Sequence, residues 1–288
     1  MTTLEQQASP TPDTTAMHAP VDSAPASTGF VRTKLIVLWA IILRELRRFL
    51  QQRSRFFGAL VRPLIWLLVF AAGFRAALGI AITPPYETYI TYDVYIVPGL
   101  VGMVQLFNGM QNSLSMVYDR EMGSMRVLLT CPEPLPFLLF ARLFAGMCVS
   151  LLQVYAFLLI ARLSGVDLPW EGFVSVLPAL VLTGLMLGAA GMVVSSQVRQ
   201  IENFAGVMNF VVFPVFFLSS ALYPLWKMQE GSEWVYQLCR FNPFTDAVEM
   251  IRFALYGQWH AEAATYTAIA TLVCLTLALI GYRPRQRA

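Results

Sequence analysis

Residues 95–116 read YIVPGLVGMVQLFNGMQNSLSM, a segment long enough to cross a bilayer yet too polar along one edge to face only lipid. A helix rises 1.5 Å per residue, so about twenty residues cover the roughly 30 Å of hydrocarbon. Gln105, Asn108, Gln111, Asn112 and Ser115 recur at separations of three, four and seven, which gathers them on one helical face. Two compatible readings of that face stand. It supplies hydrogen bonds between helices, each worth about 1 kcal/mol or less in a membrane, or it forms the polar wall of a translocation path.

Outward from this segment, further apolar runs occupy about 60–82, 141–162, 173–197, 203–222 and 262–282. With 95–117 they predict six spans inside a membrane region of residues 59–282. Composition agrees: 57% of residues are hydrophobic and 13% charged, whereas soluble domains use about 45–50% apolar and 25% charged residues. The first run carries Arg62 and Arg75 near its ends, where long side chains can snorkel to water; Arg75 alternatively lines a pathway. The fourth contains GLMLGAAG, whose Gly184, Gly188 and Gly191 let another helix approach closely. The fifth holds Asn209, Pro214 and five phenylalanines, among them Phe213 and Phe217. Pro214 removes one backbone donor and so permits a bend; the rings either pack or line the way for an amphipathic substrate. No run sets an Asp or Glu near its centre, which argues against a proton- or sodium-coupled carrier.

Residues 1–30 are a Ser/Thr/Pro/Ala tract that cannot offset chain entropy by burial, so a disordered tail is expected. The tract lacks the basic start and apolar core of a secretory signal, which leaves insertion to the first span. Over 31–58, Leu35, Leu38, Trp39, Ile42, Leu46 and Phe49 fall near helical spacing and basic residues collect behind them. The pattern reads as an amphipathic helix lying in the cytoplasmic interface, or else as the inner half of a long first span. Placing this segment and the basic tail 283–288 inside puts most Lys and Arg on the cytoplasmic face, so both termini are expected there.

Several chemistries are missing. There is no G-x-x-x-x-G-K-[ST] loop to hold nucleotide phosphates and no HExxH helix. His18 and His260 are the only histidines, and the four cysteines have no ligand-like spacing, so no catalytic relay and no metal site are expected. Nor is a nucleic-acid partner. A channel, a membrane enzyme and an assembly scaffold remain the alternatives to a transporter subunit.

Between the second and third spans lies MVYDREMGSMRVLLTCPEPLPFLLFARL (116–143), with charged Asp119, Arg120, Glu121 and Arg126, then an apolar patch at 127–129 and prolines at 132, 134 and 136. An apolar patch on a water-facing connector usually marks a docking surface. Here the sequence resembles the type-2 permeases of ATP-binding-cassette exporters, which carry drugs, polysaccharides and lipo-oligosaccharides. YIVPGLVGM resembles that family's Pro-Gly start, DREMGSMRVLLTCP its coupling loop, and FNPFTDAVEMIRFALYG (241–257) its Asn-Pro-x-Thr-x-Ala segment; FLSSALYPL also fits. Cys131 departs from the hydroxyl residue more usual before Pro132.

The resemblance, over about residues 32–282, implies an all-α polytopic protein. It has six transmembrane helices, an N-terminal interfacial amphipathic helix and short outer-side helices before the last span. It implies a bacterial inner-membrane permease that exports amphipathic, drug-like or lipid- or saccharide-linked molecules. The chain would pair with a second copy, as a homodimer, and with two ATP-binding subunits that hold ATP and Mg; it holds neither itself and is no enzyme. Asp119, Arg120, Glu121, Gly123, Ser124, Arg126, Leu128, Leu129 and Pro132 would couple to the ATPase. Gln105, Asn108, Gln111, Asn112, Asn209, Phe213 and Phe217 are candidate pathway-lining residues. Asn242, Pro243, Thr245 and Arg252 mark the outer motif.

Overall fold

A computed structural model describes residues 27–51, 53–74, 84–86, 90–122, 133–198 and 200–282. Its described residues are overwhelmingly helical. Contacts divide the chain into two units, Met1–Val37 and Leu38–Ala288. Of the first, the described part is the opening stretch of α1 (Ser27–Gln51). The second begins with the rest of α1 and continues through α2 (Arg53–Phe74), α3 (Tyr92–Glu121), α4 (Leu135–Leu163), the single turn α5 (Gly172–Ser175) and α6 (Leu177–Gln197). After these come α7 (Ile201–Phe217), α8 (Leu225–Gly231), α9 (Glu233–Phe241), α10 (Pro243–Leu255) and α11 (Ala261–Tyr282).

Helix α3 is the hub. Ile96, Val97, Leu100 and Val101 are fully buried, and the helix packs against α2, α4, α6, α7 and α10. Small residues bring its neighbours close, because without water between helices the gain comes from tight van der Waals contact. A Cβ on Gly109 would sit 2.8 Å from the backbone of Leu187, and one on Gly191 2.6 Å from Ser113 Oγ. Of the glycine face expected in the fourth span, Gly191 lies at the seam between α3 and α6, Gly188 meets Leu143 of α4, and Gly184 lies between Met147 of α4 and Gln105 of α3. Helix α11 buries small and hydroxyl residues such as Ala263, Thr267 and Thr271, and exposes Tyr266, Ile269, Leu272 and Leu277. That distribution suits a helix whose outer solvent is lipid.

Two turns show how the helices are stopped. After α4, Gly165 takes φ +96°; its N–H bonds Arg162 O and that of Val166 bonds Ala161 O, a Schellman ending that needs a residue tolerant of positive φ. After α10, Gly257 at φ +68° does the same, with Gln258 donating to Phe253 O.

Three helical stretches, Leu135–Leu163, Gly172–Gln197 and Ala261–Tyr282, are long and apolar enough to cross a membrane. They lie where the third, fourth and sixth spans were expected, the third starting at Leu135 and so longer by nearly two turns at its start. The expected second span is the long helix α3, whose amides and charged end lower its hydropathy. The expected first span begins within α2, and its last residues, including Arg75, lie outside the described residues. Arg62 does not simply reach for water: its guanidinium stacks 4.0 Å over the Phe107 ring. The fifth ends early, at Phe217 rather than 222. The tail ahead of Ser27 and the residues after Tyr282 also lie outside the described part. Between α7 and α11, the expected short helices are α8, α9 and α10.

Candidate functional site

The polar face of α3 divides between two environments. Gln105 is 1% exposed and its Nε2 donates to Leu180 O at 2.8 Å, which makes it a bond between α3 and α6. Gly184 makes room for it, since a Cβ there would lie 3.3 Å from Gln105 Nε2. One turn further on, Asn108, Gln111, Asn112 and Ser115 line a cleft of about 470 Å³. Asn108 Nδ2 reaches Ser150 Oγ and Asn112 Nδ2 reaches Arg142 O, each at a long 3.4 Å. Gly146 on α4 allows this: a Cβ there would stand 2.3 Å from Asn112 Nδ2.

The far walls of the cleft come from α1 and α4. Arg44 and Arg48 enter from α1, Arg142 and Gln153 from α4. Arg44 Nη2 donates to Glu45 Oε1 at 3.0 Å. Gln153 is 1% exposed and its Oε1 has no hydrogen-bond partner. No motif hinted at this convergence, because the arginines belong to segments about a hundred residues apart and read there as orientation markers. Asn209 is exposed on α7 and is not part of the cleft.

Ile201 closes one end of the cleft. Its backbone N–H, in the first turn of α7, donates to Glu121 Oε2 at 3.0 Å. Helix starts leave donors unpaired and carry partial positive charge, so a carboxylate there is stabilising. Of the residues expected to couple to an ATPase, Asp119 and Arg120 fall in the last turn of α3 beside Glu121; Gly123, Ser124, Arg126, Leu128, Leu129 and Pro132 lie outside the described residues. On α7, Phe213 meets Phe107 edge-on at 6.2 Å and stacks on Phe217 at 6.2 Å. Phe217 in turn tilts against Trp66 of α2 at 6.0 Å. These rings form one aromatic flank, partly exposed.

The outer motif is a clasp. Asn242 caps α10, its Oδ1 accepting from Phe244 N–H at 3.0 Å, while its Nδ2 donates to Val215 O at 2.7 Å and Leu218 O at 2.6 Å. Pro243 occupies the first helical position, where no N–H is needed. Thr245 Oγ1 donates to Cys239 O at 2.6 Å. Arg252 is 3% exposed. It donates to Glu249 Oε1 at 2.5 Å and to Ser220 O at 2.9 Å, and lies 4.1 Å over the Tyr95 ring. Tyr95 and Tyr92, which sequence reasoning passed over, donate from α3 to Ser220 O and Leu222 O. Burial, then Glu249 and Glu262, push Asp246 up to about 6, with His260 opposing. Among the described residues no three His, Cys, Asp or Glu side chains converge as a metal site.

The fold defines a class, the helical membrane proteins, and its site is an arginine-walled cleft. Its sequence settles which one: residues 36–256 match the ABC-2 type transporter family, and the chain belongs to it. It is similar to the provisionally named transport permease ycf38 of Cyanophora paradoxa, 26% identical over 72% of this chain and 71% of that protein. The protein of the same name in Porphyra purpurea is 24% identical over 74% and 72%. Nodulation protein J of Rhizobium leguminosarum bv. viciae is 24% identical over 39% of this chain and 42% of its own. The protein is thus a multi-pass membrane permease of that family.

Proposed function

We propose that the chain is the membrane-spanning subunit of an ATP-driven exporter that moves an amphipathic molecule out of the cytoplasm. Six spans, two inner termini, a second permease copy and two ATP-binding subunits holding ATP and Mg complete the assembly, in a bacterial inner membrane. The loop from Asp119 to Pro132 receives the motion of the ATPase. One observation carries this reading. The residue at which α3 passes into that loop, Glu121, holds the first N–H of α7, so a displaced loop pulls on the helix bearing Phe213 and Phe217. Membership of the family and the absence of a P-loop from this sequence are the remaining support.

The test is co-purification of the tagged chain in mild detergent, followed by vanadate-sensitive ATP hydrolysis. A stoichiometric P-loop ATPase is expected; a lone chain with no hydrolysing partner sinks the reading. In the recovered complex, Glu121→Ala is expected to lower substrate-stimulated hydrolysis about fivefold or more, the lower range of coupling between sites, with the ATPase still bound. Undiminished stimulation would remove Glu121 from the coupling path.

A further inference from the structure

The turn from α10 into α11 is closed by a side chain that can change its charge. Helix α11 opens at Ala261, and the donors of a first helical turn have no partner within the helix. His260 stands just ahead of it as the cap. Its Nδ1 accepts from Ala263 N–H at 3.0 Å, while its carbonyl takes the Ala264 N–H at 3.0 Å. The ring is half-buried and meets Phe253 of α10 edge-on, with centroids 4.6 Å apart. One imidazole thus holds the start of the last span and touches the helix before it. The residues between give little other support: Gly257 takes positive φ with open space where a Cβ would stand, and Gln258 Nε2 donates to Pro85 O at 3.2 Å.

A backbone N–H can only donate, so this cap exists only while Nδ1 carries a lone pair. Imidazole is the side chain whose ordinary titration falls between about pH 5 and 8, and once it is protonated both of its nitrogens are donors. An imidazolium therefore loses the Ala263 bond and sets a positive charge against the positive end of a helix. Its surroundings nevertheless invite the proton. Asp246 of α10 lies within electrostatic reach of the imidazole, and Glu249 and Glu262 lie within reach of Asp246. Glu249 is engaged by Arg252 at 2.5 Å. Helix α6, which also packs along α11, has no ionisable side chain. Tyr256, in the turn itself, is a phenol, and phenols ordinarily titrate near pH 10, far outside the window.

We propose that this junction is a proton-operated latch. With His260 neutral, the imidazole pins the first turn of α11; with His260 protonated, it releases the Ala263 N–H and turns to the Asp246 carboxylate, and the start of the last span loosens. The proton comes from the water at this end of the molecule. The orientation in the proposed function makes that the outer face, so the latch's meaning as a sensor of external acidity rests on that reading, while its chemistry stands on the junction alone.

The experiment is hydrogen exchange of the full chain in detergent, read by mass spectrometry in peptides covering residues 258–268. It is run between about pH 7.5 and about pH 5.5, either side of the ordinary imidazole titration, with each rate scaled for the pH dependence of chemical exchange. In the native chain, protection is expected to fall about fivefold in acid, as the loss of an N-cap of typical strength implies. His260→Asn supplies a cap oxygen that does not titrate and is expected to keep protection across the range. His260→Ala is expected to be poorly protected throughout; should it fail to fold, the Asn variant decides alone. Asp246→Asn is expected to move the change to lower pH, because the imidazolium loses its counter-charge, and an unmoved change would overturn the part given to Asp246. Protection that stays constant in the native chain, or a fall that persists in His260→Asn, overturns the latch. No ATPase enters this readout: a junction indifferent to pH leaves the exporter reading as it stands, and a working latch in a chain that recovers no ATPase ends that reading and leaves the latch.

Discussion

The chain carries arginines in two polar regions that are built in opposite ways. Arg252 is sealed beneath the outer motif, with a carboxylate at 2.5 Å, a carbonyl at 2.9 Å and an aromatic face at 4.1 Å. Arg44 and Arg48 stand exposed on α1 at the mouth of a cleft whose amides make only long hydrogen bonds. A buried charge with its partners supplied by the fold holds elements together, here α10, α3 and the segment after α7. A charge left facing a cavity contributes little to the fold and is free to meet something else.

The largest expected effect tests that contrast directly. Arg252→Met strands the Glu249 carboxylate and leaves the Ser220 carbonyl with Tyr95 as its remaining donor, and breaking a buried pair costs about 3–5 kcal/mol; poor recovery of monodisperse protein and a lowered unfolding midpoint would report it. Arg48→Gln, by comparison, is expected to shift stability by no more than about 0.5 kcal/mol, as surface changes do. If the two variants unfolded alike, the division between clasp and cleft would collapse. A middle-sized effect is expected for Asn242→Ala, which loses a helix cap, about 0.5–2 kcal/mol, and also frees two carbonyls of the α7 end. Thermal unfolding followed by tryptophan fluorescence should register it, and an unchanged midpoint would show that the clasp does not depend on this amide.

The smallest effect is in pH. Asp246 titrates at about 6 in the fold and near the ordinary carboxylate value, about 4, once unfolded. The folded chain therefore binds more protons between those values, so stability falls as pH rises from about 4 to about 6 and levels off above. Asp246→Asn should flatten that slope in unfolding midpoints collected across the window. A slope that persists belongs to another group.

Much of this molecule is legible in its sequence, and the limits have physical causes. Three apolar runs became long helices because a run of that length has no other stable form in lipid. Asn242-Pro243 starts a helix because cap and first-turn chemistry are local. Helix α7 stops short of the expected end of the fifth span, where Val215 and Leu218 hand their carbonyls to Asn242, more than twenty residues further along the chain. Gln105 and Asn108 share a helical face in the sequence, yet one is buried against α6 and the other opens on a cleft. Periodicity places a side chain on a face and leaves open which neighbour covers each turn. The cleft itself was invisible, because Arg48 and Arg142 become neighbours only through tertiary packing.

The contact between Glu121 and Ile201 has a further consequence. Ile201 is both the residue held by the Glu121 carboxylate and part of the cleft wall. Free energy of binding is a state function, so a partner that displaces Glu121 and thereby shifts Ile201 alters the affinity in the cleft by some factor. An occupant of the cleft must then alter the affinity for that partner by the same factor. Under the proposed function, the two sides of the membrane machine would sense each other through one peptide N–H, with no signal passing in only one direction.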